Sequence, residues 1–329
     1  VVDAPRLEQV PCNLCGSEQS RAIFTSRDYR FQTDPTEFAV VRCRSCGLVR
    51  LNPRPIEEDI HRYYHDGFYR ADETPKEALD NLDERWSGMA KHIARYPRGR
   101  LLDVGCYRGE LMEHMRTRHG WSVAGIEFSQ RPTNHFDLDI FYGDIARSPF
   151  PSDSFDVVTL WAVLEHVYNP THVLQHVRRL LRPGGTCIIL VPNFHSVPGR
   201  LLRHDDIPRH VTMFTRRTLA RLLAKCGLQP VEWSCDQDVY GGSVRGCLNF
   251  LVKRMAGESM GEILAQNRPE GADRWHEFSS QIKSRDSALM RRVDAVDNWL
   301  APRLDRVLDT LGLGFTMTVH ARSVRRTKN

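Results

Sequence analysis

The sequence predicts an α/β protein whose mostly parallel sheet carries helices on both faces, preceded by a small cysteine-rich module. Three observations predict it. From about residue 100 to about residue 235, short apolar runs alternate with helical segments, the pattern of strand–helix–strand units. One run, Leu101 to Val104, leads directly into Gly105-Cys106-Tyr107-Arg108-Gly109 and a helical segment that starts near Glu110. Ahead of both, Cys12-x-x-Cys15-Gly16 and Cys43-x-x-Cys46-Gly47 repeat one short knuckle.

Composition sets the outer bounds. The 329 residues hold one large α/β domain of about two hundred residues with smaller appendages. With 41% apolar and 26% charged residues, the balance is that of a folded globular protein and excludes fibrous, low-complexity and disordered classes. No apolar run reaches the ~18 residues of a spanning helix, and no basic stretch followed by an apolar one opens the sequence, so a cytoplasmic location is expected. A net charge of +5 and a pI near 8.8 fall short of a dedicated nucleic-acid domain, and nucleic acid is not an expected partner.

Residues 1 to 55 lack helical periodicity and end in Asn52-Pro53-Arg54-Pro55, whose prolines disfavour a continuing helix. Nine cysteines with two close pairs point to metal rather than disulfides. In each knuckle, two intervening residues let both thiolates turn toward one ion, and the following glycine relieves crowding in the turn. Cys12, Cys15, Cys43 and Cys46 together close a tetrahedral zinc site, which is structural because no coordination position stays open.

From Ile56 to Tyr96 apolar and aromatic residues recur at three and four, which predicts helical cover. Strands are read at Leu101 to Val104, Ser122 to Ile126, Ile140 to Tyr142, Phe155 to Leu160, Thr186 to Val191 and Leu228 to Trp233. A helix from Thr171 to Leu181 is stopped by Arg182-Pro183-Gly184-Gly185. Past Tyr240, Leu289, Val293, Val296, Leu300, Leu304, Val307 and Leu311 lay an apolar stripe along a long helix bent near Pro302, a candidate surface for self-association. Phe315 to Ala321 alternates and reads as a final strand after a helical insertion. The domain reading is therefore 1–55, 56–250 and 251–329.

Glycines after the first strand let the chain turn tightly and let a ligand approach, while the helix N-terminus offers free N–H groups. The spacing is not the three-glycine dinucleotide form. Acidic residues instead close three successive strands: Asp103, Glu127 and Asp144. Such carboxylates suit a ligand with an ammonium group and no pyrophosphate, with Glu127 on the ribose hydroxyls and Asp144 on an adenine amino group.

Leu101-Leu102-Asp103-Val104-Gly105-Cys106, Glu127, Gly143-Asp144, Phe155-Asp156-Val157-Val158, Leu164-Glu165-His166-Val167 and Leu181-Arg182-Pro183-Gly184-Gly185 resemble, in order, the motifs of class I S-adenosylmethionine-dependent methyltransferases. The resemblance covers about residues 100 to 235. It implies a Rossmann-like seven-stranded sheet whose last strand, Phe315 to Ala321, is antiparallel. It implies S-adenosylmethionine at Asp103, Gly105, Cys106, Gly109, Glu127, Phe128, Asp144, Ile145 and Trp161, with Tyr64 or Tyr69 folded over its methionine end. Similar four-cysteine modules precede the methyltransferase domain in bacterial small-molecule enzymes, sugar C-methyltransferases among them. Those enzymes add a second large α/β lobe, which the helical tail here cannot supply.

The expected function is methyl transfer to oxygen, nitrogen or carbon of a small molecule, a sugar or another biosynthetic intermediate. An RNA methyltransferase gripping RNA through its zinc module is an alternative, but Trp161-Ala162-Val163-Leu164-Glu165-His166 stands where an enzyme acting on a flipped base carries Asn-Pro-Pro-Tyr. A non-catalytic cofactor-binding protein is the other, and three intact acidic positions argue against it. The chemistry asks for alignment and, where necessary, proton removal. His166 and His210 are the candidate bases, with Glu165 as a structural partner of His166 or, with both histidines, as a ligand to a divalent ion. Arg200, Arg203, Arg209, Arg216 and Arg217 suit a phosphorylated or carboxylated substrate.

Overall fold

A computed structural model describes residues 4–29, 31–64, 82–128, 136–202, 206–235, 244–259 and 288–324, with Val239 and Ile263 besides. The chain divides into two units: Val1–Ala71, Pro192–Thr215 and Cys235–Met317 in the first, Asp72–Val191, Arg216–Ser234 and Thr318–Asn329 in the second. In the first unit, β2 (Ser20–Ser26), β3 (Phe38–Cys43), β4 (Val49–Leu51) and β11 (Thr212–Met213) form an antiparallel sheet in the order β11-β4-β3-β2. Apolar residues alternating along these strands meet in a small core of Phe38, Val40, Val49, Leu51, Tyr63, Phe194, Ile207 and Met213. The prolines at 53 and 55 do exclude a helix. They also serve pairing, since β1 (Leu7–Glu8) lies antiparallel to β5 (Arg54–Pro55), and the Asn52 side chain accepts the Val10 N–H at 2.9 Å.

The runs expected to be strands all pair in the second unit: β6 (Arg100–Val104), β7 (Ser122–Glu127), β8 (Ile140–Tyr142), β9 (Phe155–Trp161), β10 (Leu181–Pro192), β12 (Leu228–Ser234) and β13 (Thr316–Ser323). Their order is β12-β13-β10-β9-β6-β7-β8. Strands β6 to β10 are parallel and β13 runs antiparallel to β12, which is the Rossmann-like sheet expected. Leu101, Leu102, Val104, Val157, Val158 and Ile188 to Val191 are buried, because helices cover both faces of a parallel sheet. From β6 the chain builds outward to β7 and β8, then returns to add β9 and β10 on the other side. The crevice where that order reverses, at the carboxyl ends of β6 and β9, is where such sheets hold ligands.

Among the described residues, four helices belong to this unit: α1 (Leu82–Ala94), α2 (Glu110–His119), α3 (Pro170–Leu180) and α5 (Arg216–Lys225). Asn169 caps α3 by accepting the His172 N–H at 3.0 Å, with Pro170 at its first position. The chain then enters β10 at Leu181, without the loop expected there: Leu181 pairs with Phe155, Gly184 takes φ +82°, and pairing resumes at Thr186 with Val157. The cover expected from Ile56 to Tyr96 is a 3-10 segment, Glu57–Tyr63, and helix α1, with residues 65–81 outside the described residues.

Among the described residues of the first unit, the helices are α4 (Val197–Leu202), α6 (Cys247–Met255) and α7 (Ala288–Thr310). Helix α7 runs through Pro302 as expected, but the face it packs is not the apolar stripe. Asp297, Ala301 and Asp305 are buried, whereas Val296, Leu304 and Val307 are exposed. The reason lies in α6, whose N-terminal N–H groups need acceptors. Asp297 accepts from Gly246 N–H, Asp305 from Val244 N–H at 2.8 Å, and Asp294 from the Asn249 side-chain amide. No helix among the described residues is long and apolar enough to cross a membrane.

Candidate active site and metal centre

The four knuckle cysteines converge in the first unit. Cys12 and Cys15 come from the turn before β2, Cys43 from the end of β3 and Cys46 from the turn that follows it. Their sulfurs lie within 4.8 Å of one another, with Cys12 Sγ to Cys46 Sγ at 3.4 Å and Cys15 Sγ to Cys43 Sγ at 3.6 Å. Tetrahedral bonds of about 2.3 Å would separate sulfurs by a similar distance, so the donor set fits zinc. In both knuckles the glycine N–H returns to the first cysteine carbonyl, Gly16 to Cys12 at 2.7 Å and Gly47 to Cys43 at 3.0 Å. Nothing stands within 4 Å of a Cβ built on either glycine, so crowding is not why glycine is there. Left-handed φ values of +74° and +83° are. Burial pushes the Cys12 and Cys46 thiols up; at Cys43 it is outweighed by N–H donors of Cys46 and Ser45, which bring that thiol to about 6.

In the second unit the three acidic residues stand at the ends of β6, β7 and beyond β8, neighbours in the sheet. Asp103 is buried and accepts the Thr159 hydroxyl at 2.7 Å. Burial raises its pKa to about 7; the Thr159 bond opposes the rise and the nearby Glu127 charge adds to it. Gly105 takes φ +77° and Gly109 +85°, the latter opening α2. The first three N–H groups of this turn, ahead of the helix, are engaged. Gly105 and Cys106 both donate to the Ile126 carbonyl, at 2.7 and 3.2 Å, and Tyr107 N–H donates to Glu127 Oε2 at 2.7 Å. Asp144 caps the short Ile145–Arg147 turn by accepting the Ala146 N–H at 2.6 Å and meets His172 Nε2 at 3.3 Å. Burial pushes Asp144 up, but those two partners outweigh it and hold its pKa below the usual value.

Cys106 is buried with its sulfur 2.6 Å from where a Gly125 Cβ would stand, and burial drives its thiol far up, so it packs as an inert side chain. Ile145 is fully buried and Phe128 half-buried beside Glu127. Trp161 ends β9, and its buried Nε1–H has no acceptor among the described residues. Tyr69 lies outside the described residues, and Tyr64 closes the 3-10 segment of the first unit. After β9, Ala162 at φ +53° turns the chain into Glu165, which is buried, and His166, half-buried with its N–H on the Val163 carbonyl at 3.0 Å. His210 belongs to the first unit, where its N–H donates to the Asp206 carbonyl at 3.1 Å.

The arginine cluster is partly structural. Arg209 is fully buried, donating to Asp28 at 2.9 Å, to Asp206 and to the Tyr63 carbonyl at 2.6 Å, above the Phe31 ring. It is no substrate cation. Arg216 lies over Trp233, Arg203 is outside the described residues, and Arg200 and Arg217 are exposed. Sequence reasoning missed one buried polar chain in the second unit: Tyr96 Oη meets His320 Nδ1 at 2.6 Å, and His320 Nε2 meets His92 Nδ1 at 2.9 Å, with the His92 ring 6.0 Å from Trp161. Its one sequence signal is a histidine flanked by Val319 and Ala321 within an apolar strand.

A family profile described as a methyltransferase domain matches residues 65–232. The chain belongs to the class I S-adenosylmethionine-dependent methyltransferases. This methyltransferase is 34% identical over 153 residues to 27-O-demethylrifamycin SV methyltransferase of Amycolatopsis mediterranei, a match covering 43% of this chain and 53% of that one. It is 32% identical over 174 residues to a ubiquinone biosynthesis O-methyltransferase of Cupriavidus pinatubonensis, covering 47% and 70%. The chain spans about half the length of the first of these relatives. Among solved structures, a SAM-dependent methyltransferase from Archaeoglobus fulgidus aligns with a TM-score of 0.45 at 15% identity, over 74% of this chain and 94% of that one.

Proposed function

We propose that the protein transfers the methyl group of S-adenosylmethionine to a hydroxyl oxygen of a small biosynthetic intermediate. One observation carries the cofactor: carboxylates close β6, β7 and the turn after β8, where a donor-rich cationic ligand needs acceptors, while the turn's amides are already engaged. Asp103 faces the ammonium end, Glu127 accepts from the ribose hydroxyls and Asp144 from the adenine amino group. The Trp161 Nε1–H supplies a donor for an acceptor atom of bound ligand. The names of both relatives given above refer to methylation at oxygen, which supports oxygen as the receiving atom.

A hydroxyl must lose its proton as the carbon–oxygen bond forms, and a neutral imidazole suits that task near pH 7. His166, on the turn that leaves β9, is the base of this reading. Zinc on Cys12, Cys15, Cys43 and Cys46 is structural, since four thiolates leave no position open for chemistry. Labelled S-adenosylmethionine binding tests the cofactor site: Glu127→Ala should bind clearly more weakly, and unchanged affinity removes Glu127 from it. With an acceptor in hand, His166→Ala should keep cofactor affinity while losing about 10²–10⁴ in turnover. The same assay on His210→Ala tests the other imidazole, and loss of activity on chelation with recovery by magnesium would replace a base with a divalent ion.

A further inference from the structure

The outward side of α7 is built for a partner of particular chemistry. At 100° per residue, Trp299, Val296, Val307 and Leu304 fall with Arg292, Arg303 and Arg306 in one sector of about 160°. Val296 is 46% exposed, Trp299 60%, Leu304 46% and Val307 56%, and Leu311 just past the helix is 64% exposed. Every aspartate of the helix lies on the opposite side, where Asp294, Asp297 and Asp305 bind the start of α6. Those bonds fix the helix's rotation, so its apolar sector cannot turn inward. Arg303 rides over the Trp299 ring at 4.3 Å and donates to the Trp299 carbonyl; Arg306 donates to the Pro302 carbonyl at 3.2 Å. Among the described residues, no carboxylate pairs with Arg292, Arg303 or Arg306.

We infer that this face of α7 docks on an anionic lipid surface. An apolar helix sector with a tryptophan, with arginines among its apolar residues and no acid within it, is an arrangement that lies in a bilayer interface, with the aliphatic side chains among the acyl chains and the guanidinium groups on headgroup phosphates. A second copy of the chain is a poorer occupant, because pairing like faces would set arginine against arginine. The mode is peripheral, with the helix along the surface. It does not depend on the methyl-transfer reading.

The full-length protein is sedimented with vesicles of phosphatidylcholine plus phosphatidylglycerol and with vesicles of phosphatidylcholine alone. Binding is expected to the anionic vesicles and to fall with salt. Arg303→Ala and Arg306→Ala should each lower the partition coefficient about fivefold, and Trp299→Ala should lower it further. All three residues are exposed, and unchanged circular dichroism confirms that each variant is folded. Equal or absent sedimentation with the two vesicle types, or variants that bind like the wild type, would overturn the inference. So would ultracentrifugation showing a dimer that Trp299→Ala dissolves, which assigns the face to a second copy.

Discussion

Lowering the pH from about 7 to about 5.5 is expected to weaken S-adenosylmethionine binding about fifteenfold, through Asp103. The unliganded carboxylate titrates near 7 because it is buried beside Glu127. It is therefore about half ionised at pH 7 and roughly one-thirtieth ionised at pH 5.5. A cationic ligand needs the ionised form, so proton and ligand compete, and affinity falls as the pH falls. The range stays below about 7.7–8.0, where the ligand's own α-amino group would begin to lose its charge. Titration calorimetry in two buffers of different ionisation heat should show most of one proton released on binding near pH 6.5. Asp103→Asn should bind weakly and with a flatter pH dependence. Affinity that does not change across the range, or an unaltered slope in Asp103→Asn, refutes the assignment. The same group sets a stability cost of opposite origin. Below about pH 4 the carboxyl is protonated both folded and unfolded; as pH rises toward 7 only the unfolded form ionises freely, so folding loses up to about 4 kcal/mol. Asp103→Asn should thus raise the urea midpoint of the ligand-free protein at neutral pH while impairing its binding.

Freshly purified protein is expected to carry one zinc ion per chain at the four-cysteine site, measured by elemental analysis; metal-free protein, or zinc retained in a Cys12→Ser, Cys46→Ser variant, ends that reading. Arg209→Met strands buried Asp28 and Asp206, which should cost about 3–5 kcal/mol near neutral pH. A loss well under about 1 kcal/mol in chemical denaturation would contradict the buried pairing. Gly105→Ala forces a left-handed alanine whose Cβ would stand 2.4 Å from Val163 Cγ2. Cofactor affinity should drop and partly return in the double variant with Val163→Ala, and no return would place the fault elsewhere.

Parallel strands buried on both faces appear in the sequence as short apolar runs, which is why β6, β7, β8 and β9 could be read with their bounds close to those observed, while β10 starts five residues earlier than its apolar run. The acidic strand ends and the cysteine knuckles were legible for the same reason: each is a local pattern whose parts lie a few residues apart. What stayed hidden depends on distant partners. Arg209 reads as one more loop cation until Asp28, 181 residues away, is beside it. The periodicity of α7 locates an apolar stripe but carries no information about which side packs, and the decision came from unfilled N–H groups on α6. The glycines at 105 and 109 read as a tight turn, and only the tertiary placement of Ile126 and Glu127 shows where the amides of Gly105, Cys106 and Tyr107 go.

Strand β13 comes after β12 in the chain yet lies between β10 and β12 in the sheet. During synthesis, β10 must wait as an uncapped sheet edge while residues 235 to 315 are made, and β12 has no neighbour to pair with until β13 arrives. An unpaired edge beside so apolar a sheet is the kind of surface that captures other chains. Expression of this protein is therefore expected to depend on how promptly the stretch from Thr316 to Ser323 is delivered, and a nascent chain arrested before it should need chaperone protection that the finished one does not.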